Sequence, residues 1–141
     1  MSHALESVQS IYQAFGQGDL PAILERLSPD VRWEAWADQS AQRAGHPFFA
    51  ARSGRAGVTE FFALLAQQAT VHEFKVLDLF GSGRQVAVEV EIDWTYLPTG
   101  RRQRDEELHL WTFGDDGLVQ RMRHYVDTAK HLHAAGLPLA A

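Results

Sequence analysis

The stretch "QVAVEVEIDWTYL", Gln85 to Leu97, alternates apolar and polar residues with a period of two. Val86, Val88, Val90, Ile92, Trp94 and Tyr96 fall on one side, and Ala87, Glu89, Glu91 and Asp93 on the other. Successive side chains of a strand point to opposite faces, so this is a strand whose apolar face must cover a core. "HEFKVLDLF" before it, and "RQRDEELHLWTF" and "LVQRMRHYVD" after it, read as strands of the same kind. The turn segments "GSG", "PTG" and "DDG" separate them, and connections that short join antiparallel neighbours. The second half of the chain is therefore an antiparallel meander of long strands.

The first half has a helical rhythm. Leu5, Val8, Ile11, Tyr12 and Phe15 predict an amphipathic helix over 3–16. "GQGD" ends it, with Gly18 as the stop and Asp19 able to cap the next helix. Leu20, Ile23, Leu24 and Leu27 form the apolar face of a short second helix, and "VRWEAWA" reads as a first strand. Asp38 to Gly57 is expected to be a loop with a short strand near Phe48. Val58, Phe61, Phe62 and Leu65 then mark a third helix over 57–69. "TAKHLHAAG" closes the chain as a short helix that Asp127 or Thr128 can cap, with His131 and His133 expected to face solvent. The expected fold class is α+β, with three N-terminal helices packed on a strongly bent, mostly antiparallel sheet. Such a cone has an apolar interior and one open end, a shape that suits a small-molecule pocket.

Composition narrows the function classes. The length of 141 residues fits one domain, and the net charge of −5 with scattered arginines lacks the basic footprint of a nucleic-acid binder. With no cysteine, disulfides, thiolate chemistry and Cys-based metal sites are excluded. No apolar run approaches the roughly 20 residues of a membrane span. The first residues also lack the basic and apolar regions of a secretion signal. The expectation is a cytoplasmic protein that binds neither nucleic acid nor membrane.

Parity then selects residues. On "DEELHLWTF", Glu107, His109, Trp111 and Phe113 share one face, and on the last strand Gln120, Met122, His124 and Val126 share one. Matching these to the apolar face turns Glu107, His109 and His124 inward on adjacent strands. Outside, Glu89, Glu91 and Asp93 are expected to meet Arg104, and Arg121 and Arg123 to meet Glu106. Imidazole titrates near neutral pH, so one ring can move a proton while a carboxylate fixes the tautomer of the other. His124, His109 and Glu107 are thus the candidate catalytic group. Trp33, Phe62, Trp94, Trp111, Phe113, Met122 and Tyr12 are the candidate substrate-binding residues. Two other readings stand beside this one: the three polar groups satisfy one another in a binding cavity, or they hold a metal, for which no HExxH-like spacing speaks. The expectation is that the chain uses neither metal nor cofactor. Asp127 has the opposite parity to His124 and precedes a helix, which favours a cap. His3, His46 and His72 have no evident partner, although His46 in "GHPFF" could edge a pocket mouth. Leu108, Leu110 and Tyr125 lie among charges on the outer face, a surface suited to a homodimer.

Three stretches, "IYQAFGQGDLPAILERLSPDVRWE", "FFAARSGRAGVTEFFALL" and "HLWTFGDDGLVQRMRHYVDT", resemble the ketosteroid isomerase, SnoaL and nuclear-transport-factor-like superfamily over nearly the whole chain. The resemblance implies a cystatin-like cone and a dimer. Aligned on "GDL", the oxyanion tyrosine of ketosteroid isomerase falls on Ile11, with Tyr12 one residue off. Its proton-moving aspartate falls near Ala35, beside Glu34, and its oxyanion aspartate on His109. Two of the three groups are replaced, so the resemblance does not imply ketosteroid isomerisation. "MRHYVD" is similar to the Trp-Arg-Asp-Tyr-Phe-Asp stretch of limonene epoxide hydrolase, whose water-activating aspartate corresponds to His124. The Arg-x-Asp pair of that enzyme corresponds to Glu107 and His109. SnoaL-type cyclases place an acid–base aspartate at the position of His124 and a histidine at that of His109. The resemblance implies a small hydrophobic or polyketide-like ligand and cofactor-free isomerisation, cyclisation, dehydration or epoxide opening. In it His124 is the leading base, His109 the oxyanion or acid partner, and Glu107 the orienting carboxylate. The alternative is a non-catalytic ligand-binding or dimerisation module of the same fold.

Overall fold

The computed structural model describes residues 2–138. Helix α1 (His3–Gln17) starts where Ser2 accepts from the Leu5 N–H and ends at Gly18, whose left-handed φ of 68° only glycine adopts cheaply. Asp19 caps α2 (Leu20–Leu24), which is shorter than its apolar pattern suggests. Leu27 already belongs to β1 (Leu27–Ala35), where it pairs with Val119. The segment expected to be mainly loop contains α3 (Ser40–Arg43), a 3-10 turn at Pro47–Phe49 and the two-residue strand β2 (Arg52–Ser53). The short strand therefore lies after Phe48 rather than at it. Helix α4 (Gly54–Gln68) begins three residues earlier than its apolar face implies.

The meander follows as β3 (Ala69–Ser82), β4 (Gln85–Tyr96), β5 (Arg101–Phe113) and β6 (Val119–Tyr125), and α5 (Thr128–Ala135) closes the chain. Asp127 caps α5 through the Lys130 N–H at 3.2 Å. The six strands are ordered β2-β1-β6-β5-β4-β3, antiparallel except where β1 runs parallel to β6. This is the α+β layout expected, with five helices on a strongly curved sheet. Bulges in β3 help the curvature, since an extra residue bends the strand that carries it.

Two apolar clusters fill the concave side. One joins α1 and α4 to Val86, Val88, Val90, Trp111 and Phe113, and the other joins Phe48, Phe49, Trp94 and Tyr96 to Leu132 of α5. No helix among the described residues is long and apolar enough to cross a membrane.

Register corrects two expectations. Between Thr112↔Arg121 and Phe113↔Val119 the ladder slips by one residue, so Val119 is buried and Gln120 faces out, away from the Met122–His124 wall. Arg123 is opposite Leu110 and beside Glu34 of β1, so it pairs with Glu34 at 3.3 Å and not with Glu106. On the outer face Arg104 does reach Glu91 and Asp93, and Arg102 grips Asp93 with two bonds of 2.9 Å.

Candidate functional site

A cavity of about 120 Å³ lies between the two apolar clusters and draws its lining from both. Tyr12, Trp33, Phe62, Trp94, Trp111 and Met122 line it, as do Glu107, His109 and His124. Phe113 does not. It pairs with Val119 beyond the slip in register and packs into the closed end of the core.

The polar groups form one chain of contacts. Trp111 Nε1–H donates to the Tyr12 hydroxyl at 3.1 Å, and that hydroxyl lies 2.5 Å from His109 Nδ1. His109 Nε2 is 3.1 Å from Glu107 Oε1, and Glu107 Oε2 is 3.4 Å from His131 Nε2. His131 Nε2 in turn sits 2.7 Å from Asp105 Oδ2. A carboxylate only accepts, so a His109 Nε2–H faces Glu107, which leaves Nδ1 to accept the Tyr12 O–H. Parity on β5 and the reach of α1 thus join residues 97 positions apart in sequence.

His131 overturns its expected solvent-facing place: it is only 4% exposed, while His133 is exposed. Helix α5 has Leu132 as its large apolar residue, and burying it carries the adjacent His131 onto β5. Asp105, also missed by the sequence reading, is 1% exposed. The signal for it was present, since Asp105 shares the period-two face of Glu107 and His109. His46 is buried as well, accepting the Phe48 N–H at 3.3 Å, and lies outside the cavity lining. His3 and His72 have partners in Gly117 and Thr95.

Burial and neighbours set the charges. Burial alone would raise the Glu107 carboxyl, but bonds from His109 and His131 hold it far below the ordinary carboxylate range. Burial likewise disfavours charge on His131, yet Asp105 and Glu107 raise its pKa to about 9. Asp105 is itself pushed up by burial, against the pull of His131. Burial lowers His124 to about 4, with Glu107 opposing and His109 and His131 adding to the effect. His124 is therefore neutral near pH 7. Its ring stacks on Phe49 at 5.4 Å, and among the described residues its nitrogens have no hydrogen-bond partner. They are left for whatever fills the cavity.

Asp105, Glu107 and His131 offer ligand atoms within 4.8 Å of one another, a set that could hold a divalent ion. At neutral pH the Nε2 proton of His131 occupies that space and links the two carboxylates. The cluster is not the Glu107, His109 and His124 set weighed from the sequence.

The model of the SnoaL-like domain family matches residues 8–122. The chain belongs to the SnoaL-like family. No curated protein matches the sequence. An NTF2-like protein of unknown function from Burkholderia pseudomallei is similar in structure at 24% identity, with 100% of each chain covered and a TM-score of 0.78. TerC, co-crystallised with polyporic acid, matches at 23% identity over 96% of this chain and 99% of its own, with a TM-score of 0.78. A candidate SnoaL-like polyketide cyclase from Mesorhizobium loti matches at 21% identity over 89% and 99%, with a TM-score of 0.70. At these identities the likeness shows the fold alone. The SnoaL-like match ends at Met122, before His124 and His131.

Proposed function

We propose that this SnoaL-like protein binds a small, largely apolar molecule in the cavity and acts on it by cofactor-free acid–base chemistry of the isomerase, cyclase, dehydratase or hydrolase type. The observation that carries the reading is the contrast between two histidines on paired strand positions, His109 and His124. His109 is fully committed to Glu107 and Tyr12. His124 is neutral and unpartnered at the cavity wall, so it is the group able to take a proton from a ligand. Glu107 orients His109, and the Tyr12 hydroxyl, whose single O–H is held by His109, becomes a donor for a developing oxyanion only by turning that bond to the ligand. An imidazolium formed on His124 is stabilised by the nearby Glu107 carboxylate.

The test is a thermal-shift screen of small lactones, epoxides and cyclic ketones, followed by turnover assays of the stabilising compounds. His124→Ala is expected to keep ligand stabilisation and lose about 10²–10⁴-fold in kcat. Turnover by His124→Ala at the wild-type rate would sink the assignment. Stabilisation without turnover by wild type would favour the binding-module reading, which the internal satisfaction of Tyr12, His109 and Glu107 supports.

The reading includes a homodimer through the outer sheet face, where Leu77, Phe80 and Leu108 are 45%, 58% and 36% exposed among paired charges. Phe80→Glu is expected to convert a dimer to a monomer in sedimentation velocity. A wild type that is monomeric at high concentration would refute it.

A further inference from the structure

The cavity carries an unequal set of polar groups, and that inequality points to a ligand class. We infer that it accepts an uncharged molecule of about one ring bearing one polar group, and excludes the matching carboxylate. The inference rests on the reading that this cavity is the ligand site, and it does not need the site to be catalytic.

Size comes first. An apolar cavity of about 150 Å³ holds a benzene-sized ring, and the cavity here is about 120 Å³ with walls of Phe, Trp and Ile side chains. A single ring fits with modest side-chain adjustment, and larger molecules require the aromatic walls to move.

Charge comes second. No Lys or Arg lines the cavity. The cationic ring at its edge, His131, already spends its Nε2–H on Asp105 and Glu107. The other donors are committed in the same way: Trp111 to Tyr12, Tyr12 to His109, and His109 to Glu107. Two buried ring nitrogens of the lining have no partner: Trp33 Nε1, which is neutral and cannot balance a charge, and Nδ1 of His131, whose ring charge is already answered by Asp105 and Glu107. Of the charged groups that line the cavity, the Glu107 carboxylate is thus held against the His131 ring, to which Asp105, outside the lining, is also bonded, in a space where charges are weakly screened. A ligand carboxylate entering this space loses its water, finds no cation that is not already paired with Glu107 and Asp105, and meets Glu107 on the wall. An uncharged ring loses little water and finds His124, which accepts from an O–H or donates from its own N–H.

The probes are phenol and benzamide as uncharged rings and benzoate as the carboxylate of nearly the same shape as benzamide. All three are titrated into wild type at about pH 7.5, where only benzoate is ionised. Thermal shift and the imidazole resonances of His124 are the readouts. The expected result is stabilisation by phenol and benzamide, with movement of the His124 signals, and benzoate at least about tenfold weaker than benzamide, or about 1.4 kcal/mol. Benzoate binding as tightly as benzamide would overturn the inference, as would failure of both uncharged rings to perturb His124. Glu107→Gln, checked for folding by circular dichroism, should narrow the gap between benzoate and benzamide. An unchanged gap in the folded variant would remove Glu107 as its cause. Binding without turnover of any compound leaves this inference standing while the acid–base reading fails. Turnover without discrimination against benzoate does the reverse.

Discussion

Strand β5 carries charge on both faces, and the two faces behave oppositely. Outward, Arg102 and Arg104 sit 60% and 51% exposed and meet Asp93, Glu91 and Glu73 in a shared ladder. Inward, the side chains of Asp105, Glu107 and His131 are 0%, 9% and 5% exposed and depend on one another. Outside, water can answer any charge whose partner leaves. Inside, a lost partner leaves a charge with nothing, so each contact fixes the protonation of the next.

Removing an inner partner should have the largest effect. His131→Ala leaves Asp105 and Glu107 as adjacent buried carboxylates without their shared donor. The expected loss is about 3–5 kcal/mol in urea denaturation near pH 7. A loss below about 1 kcal/mol would mean that the inner network is no more consequential than the outer ladder.

The pH dependence of stability is the next effect, and its sign follows from the buried rings. His124 and His46 are lowered from 6.5 to about 4 in the folded protein. The unfolded chain therefore takes up protons below pH 6.5 while the folded chain refuses them until about 4, and stability falls through that window. Each ring contributes at most about 3 kcal/mol to the fall. His131 acts at the other end. Its folded pKa of about 9 lies above 6.5, so its contribution is complete below 6.5 and is lost as the pH rises through 9. Urea midpoints between acid and alkaline pH would show a dome, and His124→Gln should flatten only its acid side. An acid side unchanged in that variant would contradict the placement of His124 as a ring kept neutral by burial.

The smallest effect belongs outside. Arg104→Ala removes contacts with three acidic residues on the exposed face. It should cost less than about 1 kcal/mol and less still in high salt. A loss comparable to that of His131→Ala would erase the contrast between the faces.

Most of the fold was legible because its signals are local. The alternation of Val86 to Tyr96, the αL stop at Gly18 and the Asp127 cap each depend on a few neighbouring residues. The site was legible in part for the same reason, since parity alone turns Glu107, His109 and His124 inward. Gln120 failed that reasoning because a single bulge inverts parity, and nothing in "LVQRM" announces a bulge. Phe113 failed because facing inward does not say whether a residue meets the cavity or the closed end of the core. Asp105 was within reach of the parity rule, as the first residue of "DEELHLWTF" on the same face as Glu107, and was passed over there.

Sequence alone determined the order of helices and strands, the inward placement of Glu107, His109 and His124, and the membership of a cone-shaped family. Backbone periodicity and side-chain hydrophobicity act over a few residues, and a chain displays them openly. Tertiary structure alone decided that His131 is buried, that Tyr12 joins a chain of contacts reaching to Asp105, and that His124 is left without a partner. Those outcomes depend on how α1 and α5 seat against β5 and on the dielectric they create there, and neither is a property of any short stretch of sequence.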